Sequence, residues 1–339
     1  MKVITFGEIM LRLAPIGYYR FTQAKHLEAT YGGGEANVAV SLANYGIPAS
    51  FVTKLPDHDI GQCAINDLRA YGVDTSHIAR GGDRIGIYFL EKGASQRASQ
   101  VIYDRSHSAI AAASLEDFNW IEIFQEADWF HFTGITPALS DSAAAITLAA
   151  VRAAKEQGLC VSCDLNFRKK LWTSEKANQV MGELMQYVDV CIANEEDAEK
   201  VFGIKAEDSY VESGVLNHDG YIHVAEELTK RFGCKAVAIT LRESISASDN
   251  NWAAMLYTDH QAYFSKKYAM HIVDRVGGGD SFGGGLIYAM LKHKEPQEAI
   301  EFAVAASCLK HSIEGDYNRV SVQEVETLAK GDGSGRVQR

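Results

Sequence analysis

Residues 274–285 read DRVGGGDSFGGG, with one acid, Asp280, between two glycine triplets. Glycine is the costliest residue to order, so such a run needs a reason. A linker, a phosphate cradle and a catalytic loop are the three candidates. After Asp280, the residues Phe282, Leu286 and Met290 fall four apart, so a helix begins inside the run. Asp280 therefore falls near a helix N-terminus, where unpaired N–H groups face outward and favour phosphate oxygens. Gly277, Gly278 and Gly279 would let those amides come close to a phosphoryl group. An acid in such a place repels phosphate. It reads as an N-cap, or as a base that takes a proton from a hydroxyl while the glycine amides hold the transferring group; the two roles are compatible. The second triplet, 283–285, falls in the helix's first turns, where close packing on a sheet would account for it.

A second loop, YGGGEANVAVSLANYG at 31–46, puts three glycines ahead of a helix whose first turns carry Glu35 and Asn37. Taken alone it is equally a ligand loop or a tight strand-to-helix connection. Neither loop ends in the GK[ST] of a Walker A motif, and neither carries GxGxxG in register. FGEIML follows the first strand where a dinucleotide turn would stand, which argues against a nicotinamide dehydrogenase.

These loops need a scaffold. KVITFGEI, ASFVTKL, DWFHFTG, LCVSCDL, DVCIAN and KAVAITL read as buried strands. Helical patterns lie between most of them, at 36–45, at 141–157, and where Ile222, Ala225, Leu228 and Phe232 share a face before Gly233. The alternation predicts an α/β fold with a parallel sheet covered on both faces. Segments 12–31 and 84–104 break the rhythm; they are short, aromatic and strand-like, and predict four strands of a small second sheet. One domain over 1–330 is expected, followed by a polar, glycine-rich tail at 331–339 expected to be disordered.

Composition narrows the classes. The chain has 339 residues, 47% hydrophobic and 23% charged, with a net charge of −11. That balance argues against a nucleic-acid surface. No apolar run approaches a membrane span, and MKVITFGEIMLRL lacks the parts of a signal peptide, so a cytoplasmic protein is expected. Cys160 and Cys163 form a CxxC, but on a strand they point to opposite faces, which suits neither zinc nor a redox dithiol.

Together the two loops, GGGEANVAVSLANYG and DRVGGGDSFGGG, resemble the two signatures of the ribokinase-like, or PfkB-type, carbohydrate kinases, in the same order and about 240 residues apart. The resemblance runs from Val3 to about Leu328. It implies a doubly wound three-layer α/β/α sandwich with a small β-sheet lid over the sugar. Within the family the chain looks most like the kinases of 2-keto-3-deoxy sugar acids, through IYDRSHSA (102–109), HFTGITPALS (131–140), DLNFRKKLW (164–172), TLRESISASDNNW (240–252) and EGDYN (314–318).

The resemblance implies ATP and Mg2+ as cofactors and leaves a monovalent cation such as K+ open. Asp280 would be the base, with the amides of Gly277, Gly278 and Gly279 on the γ-phosphoryl group. Gly33, Gly34, Asn37, Tyr88, Tyr103, Ile135 and Asp316 would line the sugar site. Arg105 and Arg168 would hold the substrate carboxylate, since guanidinium matches carboxylate bidentately; read singly, each is also a surface charge or an ion-pair member. Asn194, Thr240 and Arg242 would face ATP, together with Gly277 and Gly279. In IANEEDAEKVFG the family's Asn-x-x-Glu element is changed, with Asp197 at the glutamate position and Glu195 and Glu196 beside it; Asp197 is the first candidate to act on magnesium through water, and which of the three carboxylates acts stays open. Two further departures are Arg275, where the family has a small residue, and Gly278, where it has alanine.

Charge and hydropathy leave no nucleic-acid or membrane partner expected, and the resemblance implies a homodimer through the lid. The expected reaction is ATP-dependent phosphorylation of 2-keto-3-deoxygluconate at its 6-hydroxyl. The rivals are a neutral-sugar kinase of the fructokinase or ribokinase type and a non-catalytic sugar-binding regulator.

Overall fold

The computed structural model describes residues 1–194, 196–205 and 218–333. Fifteen strands and ten α-helices follow one another among the described residues. The strands are β1 (Val3–Phe6), β2 (Met10–Ala14), β3 (Glu28–Gly32), β4 (Ala49–Val52), β5 (Lys54–Leu55), β6 (Ala79–Arg80), β7 (Gly86–Glu91), β8 (Gln100–Asp104), β9 (Trp129–Thr133), β10 (Cys160–Asp164), β11 (Val190–Asn194), β12 (Ala236–Ser244), β13 (Asp249–Thr258), β14 (Gln261–Phe264) and β15 (Tyr268–His271). The helices are α1 (Gly34–Asn44), α2 (Asp59–Ala70), α3 (Trp120–Ile123), α4 (Asp141–Glu156), α5 (Ser174–Leu184), α6 (Asp197–Phe202), α7 (His218–Phe232), α8 (Gly278–Leu291), α9 (Pro296–Lys310) and α10 (Val322–Ala329).

The main sheet runs β14-β13-β12-β11-β10-β9-β1-β4. From β4 to β12 every pairing is parallel. Those strands are apolar on both faces, as a doubly covered sheet requires; β9 is buried at all five positions. One hydrophobic cluster, with Val38, Phe282 and Phe302, fills one side of the sheet, and a second, with Phe130, Phe132 and Met181, fills the other.

The expectation of a parallel sheet needs one correction. β13 pairs antiparallel with β12, and β14 and β15 both pair antiparallel with β13, so the sheet is mixed. Polar residues at the turn, Ser244 through Asn251, hide the alternation that would have marked this hairpin. The chain also reverses direction of travel at β1, with β4 on one side and β9 on the other. In open α/β sheets such a switch point leaves a crevice at the carboxyl ends of the strands.

The two segments that broke the strand–helix rhythm do form a separate sheet, β3-β2-β7-β8. It begins at Met10, two residues earlier than expected. Its small core consists of Met10, Ala14, Tyr88 and Leu90, with Val276 of the main body packed against it. The sheet therefore lies against the glycine run. Cys160 is half-buried and Cys163 buried on β10, and all six cysteines are free thiols. Residues 334–339 of the expected tail lie outside the described residues.

Candidate active site

The carboxyl ends of β9, β10, β11 and β12, the starts of α1 and α8, and the inner face of the small sheet enclose one cleft of about 440 Å³. That size suits a small-molecule site. Gly33, Gly34 and Asn37 reach it from α1; Tyr88, Tyr103 and Arg105 from the small sheet; Ile135 and Arg168 from loops after β9 and β10. Asn194, Thr240 and Arg242 line the other end, with Gly277, Gly278, Gly279 and Asp280 between, and Asp316 beneath.

Gly277 is the N-cap of α8, at φ 80°, a left-handed backbone that favours glycine. Asp280 is thus in the first turn and is not the N-cap, which corrects one of its two readings. An acid in the first turn is still favoured by the helix dipole. The Asn37 side-chain amide donates to Asp280 Oδ2 at 2.6 Å, and Asn37 Oδ1 accepts the Gly33 N–H at 3.2 Å. The two glycine loops therefore meet through one hydrogen-bonded pair, 243 residues apart in the chain. Burial pushes the Asp280 carboxyl up to about 6, while the Asn37 bond pulls it down, Asp316 pushes it up, and Arg168 and Lys310 pull it down. A carboxylate so placed is a usable base near neutral pH.

Glu35, next to Gly34, supports this arrangement from behind. Its Oε1 accepts the Thr133 N–H at 2.9 Å and the Thr133 and Thr136 hydroxyls at 2.8 and 2.7 Å. Full burial raises the Glu35 carboxyl to about 7 against these donors. The start of α1 is thereby tied to the end of β9 and to Ile135.

The two arginines expected on the substrate carboxylate differ. Arg105 is 9% exposed, and its guanidinium pairs with Glu8, donating through Nε at 2.7 Å and through Nη2. It lies over the Tyr103 ring, 5.3 Å from the centroid. Arg168 is exposed on the cleft wall and has no ion-pair partner among the described residues, yet its charge is felt by Asp164, Asp197 and Asp280. Of the two, Arg168 is therefore the cation available to an incoming anion.

Tyr88 and Asp316, both expected on the sugar, touch each other. The Tyr88 hydroxyl lies 2.7 and 2.6 Å from the Asp316 oxygens, and Arg12 donates to Asp316 Oδ1 at 2.7 Å. Asp197 does not line the cleft. It is 3% exposed, and its oxygens accept the backbone amides of Phe167 at 3.1 Å and Asn194 at 3.2 Å. It organises the turn into α6 from behind the wall. Glu195 lies outside the described residues.

The cleft contains residues that the sequence reading did not single out. Asp164 ends β10 inside it, and burial, followed by the charges of Asp197 and Asp280, raises its carboxyl well above the usual range. Asn166 holds a left-handed φ of 39°, tolerable for asparagine and frequent where a loop serves a ligand. Asn250, Trp252 and His311 close the Thr240 end. Asp164 and Asn166 sit in DLNFRKKLW, where an acid and an asparagine at the end of a parallel strand were the available signal. Trp252 and Asn250 depended on the hairpin that was missed. Arg275 is half-buried in the cleft, with Nη2 donating to the Ala247 carbonyl at 3.0 Å.

Fold and cleft together define a doubly wound α/β protein with a buried carboxylate at a glycine-lined helix start. The chain matches the model of the pfkB family of carbohydrate kinases over residues 1–321, and it belongs to that family. A solved 2-dehydro-3-deoxygluconokinase from Thermotoga maritima is 55% identical, with a TM-score of 0.94 and 98% of each chain covered. A 2-dehydro-3-deoxygalactonokinase from Haloferax volcanii is 31% identical over 335 residues, 98% of each chain. A ribokinase II structure from E. coli in complex with ATP and Mg2+ is 21% identical with a TM-score of 0.80, over 97% of this chain and 99% of that one, and shows likeness of fold. No helix among the described residues is long and apolar enough to cross a membrane.

Proposed function

We propose that the protein transfers the γ-phosphoryl group of ATP to the 6-hydroxyl of 2-keto-3-deoxygluconate, giving 2-keto-3-deoxy-6-phosphogluconate. The observation that carries this reading is one cleft lined both by a carboxylate at a helix start, Asp280, and by a guanidinium, Arg168, that has no ion-pair partner among the described residues. The name of the 55% identical relative agrees. Asp280 orients the hydroxyl and takes its proton. The amides at the start of α8, left accessible by Gly277 and Gly279, donate to the phosphoryl oxygens and stabilise the charge that develops there as the bond to ADP breaks. Arg168 holds the substrate carboxylate. Arg105, already paired with Glu8, contributes orientation through its remaining edge. Asn194, Thr240 and Arg242 face the nucleotide.

Among the described residues no three His, Cys, Asp or Glu side chains gather into a metal cage. That suits magnesium, which commonly takes one or two carboxylates plus the substrate's phosphates. Asp164, crowded by Asp197 and Asp280, is the cleft carboxylate that a cation would relieve. Bound there, the ion would neutralise charge between the phosphates. Asp197 would act only by holding the Asn194 turn. ATP supply suits a cytoplasmic setting. Exposed Ile16, Tyr18 and Tyr19 in the β2–β3 connection and Ile102 on β8 support a homodimer through the small sheet.

The test is an ADP-release assay over 2-keto-3-deoxygluconate, its galactonate epimer, fructose and ribose, with K+ and Na+ compared. Turnover is expected with the keto-deoxy acids and not with the neutral sugars. Arg168→Ala should raise KM for the acids about 10–100-fold, the scale of a hydrogen bond to a charged group. Better turnover of fructose or ribose, or equal losses on both classes in the variant, would overturn the assignment. No turnover with any sugar would leave a non-catalytic binding protein.

A further inference from the structure

Arg12 occupies an inward position of β2, in a row with Met10 and Ala14. Its neighbours on that face are the apolar core of the small sheet. A guanidinium that is 3% exposed there is costly unless fully paired. It is paired twice, Nη2 with Asp274 Oδ2 at 2.5 Å and Nη1 with Asp316 Oδ1 at 2.7 Å. Tyr88, its register partner on β7, binds the same Asp316 carboxylate. Lys310 of α9 is fully buried beside them and donates to the carbonyls of Asp274 at 3.1 Å and Ile313 at 3.4 Å. Two cations and two carboxylates thus balance beneath the cleft.

The quartet joins three elements. Asp274 opens the glycine run, and its Oδ1 accepts the Val276 N–H while its Oδ2 accepts that of Gly315. The Val273 N–H binds the His311 carbonyl at 2.8 Å. A methyl on Gly277 would lie 1.9 Å from the Asp316 carbonyl oxygen, and one on Gly278 would lie 2.2 Å from the His311 ring. The loop before Asp280 is therefore seated on residues 311–316 without slack, and Arg12 ties both to the small sheet. Stability alone does not call for this, because apolar side chains of similar volume often replace a buried ionic cluster without loss. What the cluster uniquely supplies is a fixed relation between three segments.

We propose that Arg12 is a positioning residue for phosphoryl transfer: from the small sheet it clamps Asp274 and Asp316 and so sets the glycine loop and Asp280 for reaction. The proposal rests on the kinase reading above. It reaches Asp280 through charge as well as geometry. Asp280 is faced by Asp316 and Asp164, by Arg168 and Lys310, and by the Asn37 amide. Weakening the neutralisation of Asp316 should make Asp280 harder to ionise.

The experiment compares Arg12→Lys and Arg12→Met with the wild type, each normalised to folded protein. Lysine keeps the charge but loses the fork, so it serves one carboxylate at a time. Expected for Arg12→Lys are a kcat at least about tenfold lower, a KM for ATP changed less than about twofold, and an acid limb of kcat/KM moved to higher pH. Amide hydrogen exchange at 275–281 should quicken. Wild-type turnover with an unmoved acid limb, or a rise in KM for the sugar alone, would overturn the proposal and leave Arg12 a structural or binding residue. If Arg12→Met does not fold, Arg12→Lys still decides. If the wild type phosphorylates only neutral sugars, the substrate reading fails and the same comparison runs on the accepted sugar. If it phosphorylates none, the kinase reading fails, and the positioning role fails with it.

Discussion

Two glycine triplets stand on either side of Asp280, alike in composition and different in surroundings. Beyond its own helix and chain neighbours, a methyl group added to Gly279 would meet nothing within 4 Å, because that residue is exposed to the cleft. A methyl on Gly284 would meet Ser41 Cβ of α1 at 2.7 Å, and one on Gly285 would meet Ala303 Cα of α9 at 3.1 Å. In the first triplet only Gly279 faces open cleft, Gly277 and Gly278 being seated on Asp316 and His311, whereas the second triplet makes room for neighbouring helices. Packing on the sheet, the expected reason for the second triplet, applies only to Gly283, which faces Ile192 of β11 at 3.5 Å. The same residue type thus lines the cleft at one end of about two helical turns and packs against helices at the other.

The residue between them provides the strongest test of that division. Asp280→Asn should leave binding of ATP and sugar acid within reach of wild type and lower kcat about 10²–10⁴-fold, the scale of a lost general base. Steady-state kinetics with calorimetric binding would show it. Near-normal turnover would mean that the first triplet frames some other reaction centre.

Gly279→Ala comes next. Alanine favours the helix, so stability should hold or rise slightly. Its methyl would intrude where the phosphoryl group is proposed to lie, and a displacement of about 1 Å can cost about 10²-fold in rate. A fall in kcat at unchanged Tm is therefore expected. Unchanged kcat would show that the first triplet is as much a packing device as the second.

pH gives a smaller effect from the same place. The base must be ionised, and burial raises its carboxyl to about 6. kcat/KM should be level above that pH and fall about tenfold for each unit below it. An acid limb near pH 4 in the pH–rate profile would mean that Asp280 is solvated like a surface carboxylate or is not the group titrating.

How much of this was legible in the sequence depends on the range of each interaction. The helix start at Asp280 follows from residues four apart, and the parallel strands follow from continuous apolar runs. Family likeness puts Asn37 and Asp280 in one site, but their hydrogen bond was not foreseen, since nothing local to either loop encodes a bond across 243 residues. The β13 hairpin was lost because its turn is polar and its strands are short of alternation. Nothing in the sequence reading singled out Arg12. Only the row it shares with Met10 and Ala14 marks it as buried, and that row becomes visible once β2 is known to pack against Val276. Asp197 misled for a related reason: its position in IANEEDAEKVFG fits a ligand, but the turn into α6 directs both its oxygens to backbone amides.

Gly284→Ala should have the smallest effect on turnover and for that reason tests the comparison from its other side. Its methyl would fall within 3 Å of Ser41 Cβ and 3.6 Å of the Val38 carbonyl oxygen, so α1 and α8 would have to separate by a few tenths of an ångström. Overpacking of this kind costs about 1–3 kcal/mol, offset in part by the roughly 1 kcal/mol that alanine gains over glycine within a helix. Urea denaturation should show a lower midpoint with the slope unchanged. kcat per folded molecule should stay near wild type, because the strain falls between two helix bodies and the cleft is held at their starts by Asn37 and Asp280. Opposite signatures for Gly279→Ala and Gly284→Ala, activity lost without stability and stability lost without activity, would separate the two triplets by function. If Gly284→Ala lowers kcat as well, the α1–α8 contact itself aligns Asn37 with Asp280, and the second triplet belongs to the catalytic apparatus.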